Sequence, residues 1–164
     1  MNALKFGSRE RIFLAASAAL ILLLIVGFIQ VRSLEKLLRA DADFYRKAVT
    51  LYDQGNFAAA APIFSELLRR DPNSWILAAH YGRCLGETGR YKEASVYCSR
   101  ALELNVFLVR NGYFLVPWGY YSYLEGDYEK ARVLLEASLK TKLPDSLATT
   151  ARRLVEDIQQ KRSK

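Results

Sequence analysis

The chain has 164 residues, of which 51% are hydrophobic and 25% are charged, and its formal net charge is +7. This length fits one modest domain with an added segment. No run of Lys/Arg is longer than two, so the basic stripe expected of a nucleic-acid-binding protein is missing. Six of the Lys/Arg residues and two acidic residues fall within residues 1–40, so much of the positive charge lies near the N-terminus.

The longest apolar segment follows a short basic tail, residues 1–11. Residues 12–31 read IFLAASAALILLLIVGFIQV and contain no charge. As an α-helix this segment would be about 30 Å long, which matches the hydrocarbon thickness of a bilayer. It exceeds the apolar stretch of about 7–15 residues in a signal peptide, and it lacks the polar face of a core helix. We therefore predict a transmembrane helix, with a cleaved signal peptide and a core helix as the less favoured alternatives.

The flanks of this segment bear on its orientation. The preceding tail is short and charged, whereas a long following domain crosses a membrane largely regardless of its charge. We expect a cytoplasmic N-terminus and a domain on the periplasmic or outer side. Residues 32–40 contain three leucines among charges and no Gly or Pro. They are predicted to form a helical stalk next to the membrane.

A short motif recurs three times in the rest of the chain. It consists of Gly, then Asn, Arg or Asp, then an aromatic residue, two variable residues and Ala, and its copies begin at Gly55, Gly89 and Gly126. Apolar residues at helical spacing precede and follow each glycine. Glycine can end the first helix of each pair because it adopts the left-handed conformation without a Cβ clash. The first helices are predicted at residues 43–54, 76–88 and 117–125, and the second helices at 58–70, 92–104 and 129–141.

The alanine of each motif is predicted to let the paired helices approach closely. The expected small-residue pairs are Ala60 with Ala48, Ala94 with Gly82, and Ala131 with Gly119. Pro117 is placed near the start of its helix, where the missing N–H costs little. An earlier start near Asn111 would leave Pro117 inside the helix and could kink it.

This helix-turn-helix unit of about 34 residues, with its glycine-aromatic and alanine positions, resembles the tetratricopeptide repeat. The resemblance covers residues 41–145, in units 41–74, 75–108 and 112–145, with a three-residue insertion at 109–111. Residues 146–164 are predicted to be a capping helix and a basic tail, because a solenoid must cover its last apolar face. The expected fold is thus all-α: one transmembrane helix, a three-unit helical-hairpin solenoid and a capping helix.

The resemblance implies that the first helix of each unit lines a concave groove that receives a protein or peptide partner. By register, the groove candidates are Tyr45, Arg46, Val49, Tyr52, Asp53, His80, Arg83, Glu87, Tyr113, Tyr120 and Tyr123. Family members that clamp a C-terminal carboxylate use Lys and Asn in the groove. Because Tyr45, Val49, Ala79 and Arg83 stand there instead, that clamp is not supported. Tyr and Arg are enriched at binding hot spots, but each tyrosine could equally pack between repeats.

Catalytic patterns are missing from the sequence. It has no Gly-rich phosphate loop, no HExxH and no nucleophile elbow, and His80 is the single histidine. Cys84 and Cys98 lack neighbours at zinc-ligand spacing and are read as buried apolar residues. We expect no enzyme, cofactor, metal or small-molecule substrate.

The predicted function is a membrane-tethered scaffold or adaptor that binds a protein or peptide in the groove. Two alternatives are an import- or chaperone-type receptor for unfolded or targeting segments and a permanently packed subunit of a larger membrane complex.

Overall fold

Helices account for nearly all of residues 8–162, the part of the chain that this computed structural model describes; the side chains of residues 8–15, 18, 33, 34 and 36–39 lie outside the description. The first seven residues of the predicted tail 1–11 and residues 163–164 also lie outside it. The α-helices are α1 Ser8–Asp53, α2 Phe57–Arg70, α3 Trp75–Glu87, α4 Tyr91–Leu104, α5 Gly112–Glu125, α6 Tyr128–Leu139 and α7 Asp145–Arg162, with a 3-10 helix at Val106–Arg110.

The chain divides into two compact units between Asp43 and Phe44. In the first unit, the described large apolar side chains from Leu20 to Val31 are exposed. Residues 32–40, predicted as a stalk, lie within α1. Within the described part of the chain, no helix combines the length and the apolar character that crossing a membrane requires. The predicted transmembrane helix at 12–31 is therefore not supported there, although the side chains of residues 12–15 and 18 lie outside the description.

The second unit, from Phe44 onward, is built from helical hairpins, as predicted. Gly55, Gly89 and Gly126 follow the first helix of each hairpin with φ of 74°, 83° and 91°. Such left-handed conformations carry a steric penalty for residues with a Cβ. After each glycine, an asparagine, arginine or aspartate residue stands at the N-cap of the next helix. The recurring motif is thus a helix stop followed directly by a helix start.

The predicted small residues lie together in the core of the first hairpin and approach closely in the second, and the third hairpin differs. Ala48 and Ala60 are both fully buried in one core cluster. A Cβ built on Gly82 would lie 3.0 Å from Cys98 Sγ and 3.3 Å from the carbonyl oxygen of Ala94.

In the third hairpin, the nearest atoms to a Cβ on Gly119 belong to Leu135 and Leu134 rather than to the predicted partner Ala131. The branched side chain of Leu135 fills the space that the glycine leaves.

The start of α5 is the other difference from the sequence expectation. The helix begins at Gly112 instead of Pro117, because the Oδ1 of Asn111 accepts a hydrogen bond from Phe114 N at 3.3 Å and caps its first turn. Pro117 therefore lies inside the helix. Two residues of the insertion before the third unit, Val109 and Arg110, belong to the 3-10 helix Val106–Arg110, which the sequence pattern did not indicate.

The C-terminal helix α7 covers the last hairpin. Leu154, Val155 and Ile158 of α7 pack in one buried cluster with Val116 of α5 and Leu135 of α6. This is the capping contact that the sequence predicted.

Candidate functional site

A cavity of about 260 Å³ opens between side chains of α3 and α5. The last turn of α1 contributes Tyr52, and the 3-10 helix contributes Leu108. Much of the lining is aromatic or aliphatic, so the cavity suits an apolar side chain. From α3 it is lined by Trp75, Ile76, Ala79, His80 and Arg83, and from α5 by Tyr113, Phe114, Pro117, Trp118 and Tyr121.

A close approach of α3 and α5 forms one end of this cavity. A Cβ on Gly86 would overlap the ring of Tyr121, so glycine is needed for the ring to lie against α3. The hydroxyl of Tyr121 donates a hydrogen bond to Glu87 Oε1 at 2.9 Å. Burial and the neighbouring carboxylate of Glu87 raise the pKa of Tyr121, so the phenol remains a hydrogen-bond donor at neutral pH.

The imidazole of His80 is held by aromatic rings. It stacks on Phe64 with ring centroids 5.0 Å apart, and it meets Tyr52 edge-on at 4.9 Å. Burial, together with the nearby charge of Arg83, lowers the pKa of His80. The ring is therefore neutral at physiological pH and contributes packing surface to the site.

Arg83 provides the positive charge at the cavity. Its guanidinium lies 5.5 Å from the ring centroid of Tyr52, and its Nε is 3.7 Å from Glu87 Oε1. This Nε is buried, and no described group accepts a hydrogen bond from it. Because the Arg83 side chain is 40% exposed, its guanidinium can donate hydrogen bonds to an acceptor supplied by a ligand.

A second polar group lies behind the cavity. Trp118 donates its indole N–H to Ser95 Oγ at 3.2 Å, and Lys130 Nζ donates to the same oxygen at 2.6 Å. These bonds fix the indole plane of Trp118 in the wall. Within the described residues, no group of three or more His, Cys, Asp or Glu side chains could hold a metal ion.

Comparison with known families places this geometry in context. Residues 45–105 match the Tetratricopeptide repeat family. The match includes the last turns of α1 and all of α2, α3 and α4, and the repeat motif of the sequence continues through the third hairpin. No curated protein sequence matches the chain.

Solved structures with a similar fold include several tetratricopeptide-repeat proteins. The type III secretion chaperone SycD of Yersinia enterocolitica, in complex with a peptide of the translocator YopD, is 18% identical, with a TM-score of 0.61 over 73% of this chain and 92% of that chain. The first repeat domain of Spaghetti (RPAP3), bound to the HSP90 peptide SRMEEVD, is 16% identical, with a TM-score of 0.60 over 76% and 94%. The TPR2B domain of yeast Sti1 in a complex with Hsp70 is 16% identical, with a TM-score of 0.60 over 74% and 97%. At these identities the comparisons establish the fold.

The repeats bring part of the predicted groove set together. Tyr52, His80 and Arg83 line the cavity, and Glu87 accepts the hydrogen bond of Tyr121 at its end. Tyr45 lies one layer away, with its ring edge-on to His80 at 6.5 Å. These five residues form one continuous region.

Tyr113, a further predicted groove residue, also lines the cavity. Three other predicted residues lie elsewhere on the repeats. Arg46 is exposed on α1. Tyr120 is 42% exposed beside Tyr121. Tyr123 is engaged by the capping helix: its hydroxyl donates to Asp157 and accepts a hydrogen bond from Lys161 at 2.6 Å. Tyr123 thus has a packing role in this structure.

Sequence reasoning missed Trp75, Ile76, Pro117 and Trp118 as lining residues. Trp75 and Ile76 occupy the first turn of α3 after the N-cap Ser74. The large aromatic residue directly after a capping serine is the sequence feature that could have indicated the lining role of Trp75. Pro117 and Trp118 were assigned to a helix start. Placing the cap at Asn111 instead would have moved them to the middle of α5 and towards the groove.

Proposed function

We propose that this chain is a protein-interaction module that binds an extended peptide segment along the surface formed by α3, α5 and the last turns of α1. One apolar side chain of the partner fills the cavity between α3 and α5. The observation that carries this proposal is the cavity itself, which has aromatic walls and the unsatisfied Nε of Arg83 beside it. The repeat match and the peptide complexes of proteins with the same fold support it.

The chemistry of the wall indicates the partner's composition. Rings from Tyr52, Trp75 and Phe114 favour a Leu, Met, Val or Phe side chain, since burying such a group contributes about 1.5–3 kcal/mol. Arg83 can donate to a backbone carbonyl or a carboxylate next to that anchor. The Lys and Asn set of the carboxylate clamp is not present at the matching positions, so an internal segment fits better than a free C-terminus.

Filling the cavity tests this proposal. Peptides selected from a displayed random library on the full chain would be synthesised, and their affinity measured by fluorescence anisotropy. Ala79→Phe places a ring in the cavity and should weaken binding at least about tenfold, the equivalent of losing about two buried methylene groups. Ala58→Phe adds the same ring to an exposed site on α2 and is the matched control.

Arg83→Glu reverses the charge at the cavity and should also weaken binding without unfolding the domain. Equal affinity of Ala79→Phe and Ala58→Phe, or failure of the library to yield any binder, would contradict the proposed function.

The sequences of the selected peptides also distinguish an adaptor with one partner from a receptor for many segments. We favour an adaptor with one stoichiometric partner, for which the selected peptides should converge on one motif around the apolar anchor. A chaperone- or import-type receptor is the second candidate, because an apolar cavity with a single charged donor can accept many unrelated segments. Selected peptides that share only an apolar residue would support the receptor.

We further propose that residues 12–31 attach the module to a bilayer, with the N-terminus cytoplasmic and the repeats on the periplasmic or outer side. The charge-free sequence of this segment supports the attachment, as does the exposure of its described apolar side chains. Resistance to alkaline carbonate extraction tests the attachment, and protease protection of intact membranes tests the orientation. Release into the carbonate supernatant would contradict the anchor, and digestion of the repeats from the cytosolic side would reverse the orientation.

A further inference from the structure

The 3-10 helix Val106–Arg110 presents apolar side chains to solvent. Phe107 is 73% exposed, and Val106, Val109 and the neighbouring Tyr113 are also exposed. Leu108 alone within this turn is buried, at 4% exposure, and it anchors the turn to the core. This five-residue helix buries the side chain of Leu108 and exposes those of Val106, Phe107 and Val109. An exposed apolar cluster of this kind is typical of a surface that contacts a protein or a membrane.

These side chains belong to one edge of the repeat unit. The hairpins join one another at this edge, where α3 and α5 begin and where α2, α4 and α6 end. Trp75, Ile76 and Leu104 are also exposed there. At the opposite edge, among described residues within three positions of the turn glycines, Leu124 is the single exposed large apolar residue. The apolar exposure is therefore confined mainly to the junction edge.

Basic residues surround the exposed turn. Arg110, Lys140 and Lys142 line a concave surface together with Phe107, Val109 and Tyr113, and no described Asp or Glu belongs to that lining. All three basic side chains are exposed, and none of them forms an ion pair with another described residue. The nearest acidic residues along the chain are Glu103, Glu136 and Asp145. Of these, Glu136 is four residues before Lys140 and is paired with Arg132 at 3.0 Å.

We propose that this insertion patch, formed by Val106, Phe107, Val109, Arg110, Lys140 and Lys142, docks on an anionic lipid bilayer. Protruding Phe and Val side chains can enter the interface between headgroups and acyl chains. Lys and Arg beside them attract anionic headgroups, each contributing about fivefold in affinity. A protein partner fits less well, because lysine is depleted in protein–protein interfaces. This patch adjoins the cavity, since Tyr113 lines both, but its own six residues do not line the cavity and the inference does not rest on the peptide-binding proposal.

A fluorescent label in the full chain can test contact at this patch. Phe107→Cys would be labelled with nitrobenzoxadiazole, whose emission shifts to the blue and brightens when it leaves water. The native Cys84 and Cys98 are buried, and burial raises the pKa of each thiol to about 12, so the introduced thiol reacts selectively. Val133→Cys, an exposed apolar site on α6 away from the patch, is the matched control within the same repeat unit.

Each labelled chain would be added to phosphatidylcholine vesicles with and without a quarter of phosphatidylglycerol. We expect a blue shift at position 107 on the anionic vesicles, quenching there by spin-labelled lipid, and no shift at position 133. Because both labelled variants contain residues 12–31, anchoring through that segment alone would not produce a difference between positions 107 and 133. The triple change Arg110→Gln, Lys140→Gln and Lys142→Gln should weaken docking about a hundredfold and abolish the shift at position 107.

Unchanged emission at position 107 on anionic vesicles overturns the proposal, and the patch would then be assigned to a protein partner. Equal shifts at positions 107 and 133 also overturn it, since they would show insertion without docking at the patch. An equal shift at position 107 on neutral and anionic vesicles would overturn the role of the three basic residues.

Discussion

At the residue scale, the site depends on a glycine that leaves room for an aromatic ring. Gly86 has no Cβ, so the buried ring of Tyr121 can lie directly against α3. That ring stacks near Tyr91 with centroids 6.3 Å apart, and its hydroxyl is bonded to Glu87. Because Tyr91 stacks on the ring and Glu87 accepts the hydrogen bond of its hydroxyl, the ring has little room to move away from an added methyl group.

Gly86→Ala should therefore destabilise the repeat unit. Overpacking of this kind costs about 1–3 kcal/mol, and the shift of Tyr121 should also distort the cavity. Urea unfolding followed by tryptophan fluorescence would measure the loss. Gly27→Ala is the control, because nothing lies within 4 Å of its added Cβ; equal midpoints for the two variants would contradict the close approach.

The two buried thiols make stability depend on pH in the alkaline range. Burial raises the pKa of both Cys84 and Cys98 from 9.0 to about 12. The folded state therefore keeps both protons between those values while the unfolded state loses them. The free energy of unfolding should begin to fall as the pH approaches 9 and fall more steeply above it, by up to about 1.4 kcal/mol per pH unit for each thiol.

Urea midpoints measured from pH 8 to pH 9 would test this dependence, because that range stays a full pH unit below the ordinary tyrosine pKa of 10.0. Cys98→Ala should roughly halve the slope. A slope that is the same in the variant and the parent chain would show that the thiols are not its source.

At the element scale, α5 has a side-chain hydrogen bond that caps its N-terminus and a proline in its interior. Asn111 caps the helix, and Pro117 lies six residues into it, where it cannot donate a hydrogen bond to the carbonyl of Tyr113. Its ring instead contributes to the wall of the cavity. The helix thus loses local stability at the position that forms the candidate site. Pro62 occupies the same position in α2 but does not line the cavity.

Pro117→Ala and Pro62→Ala form a matched pair of variants. Each restores a backbone N–H, so each should raise stability by about 1–2 kcal/mol, less than the full propensity difference because the unfolded chain also gains freedom. Only Pro117→Ala should weaken the selected peptides in the anisotropy measurement. Loss of affinity in both variants, or in neither, would contradict the place of Pro117 in the wall.

At the scale of the whole repeat unit, α7 decides whether the last hairpin is stable. Ile158 is fully buried in the cluster with Leu135 and Val116. On the same helix, Lys161 is exposed, and its contacts with Asp157 and Tyr123 lie at the surface. The apolar contact should therefore contribute more than the ion pair, since solvent screens exposed charges.

Ile158→Ala should lower the free energy of unfolding by about 2–5 kcal/mol, the usual cost of emptying a buried aliphatic site. Lys161→Ala should have a clearly smaller effect. Both would be measured as urea midpoints on the full chain. If Lys161→Ala lowered the free energy of unfolding as much as Ile158→Ala, the surface contacts of Lys161 with Tyr123 and Asp157 would be the main interaction that holds α7 on the last hairpin.

The sequence by itself determined the repeat fold and the positions where each first helix ends and the next helix begins. The spacing of Gly55, Gly89 and Gly126, with helical apolar patterns around them, was sufficient because turn glycines and N-caps act over a few residues. It also indicated the buried cysteines, the capping helix and the central part of the groove at Tyr52, His80 and Arg83.

The tertiary structure decided the rest. The start of α5 depended on whether Asn111 or a later residue capped the helix, and that choice moved Pro117 and Trp118 into the groove. The cavity exists because Gly86 admits Tyr121 from another repeat, and Tyr123 is engaged because α7 folds back over it. The last two contacts join residues more than thirty positions apart, and local spacing carries no information about which side chains meet at that distance. The cap of α5 is local, but the sequence offered two starting points and did not choose between them.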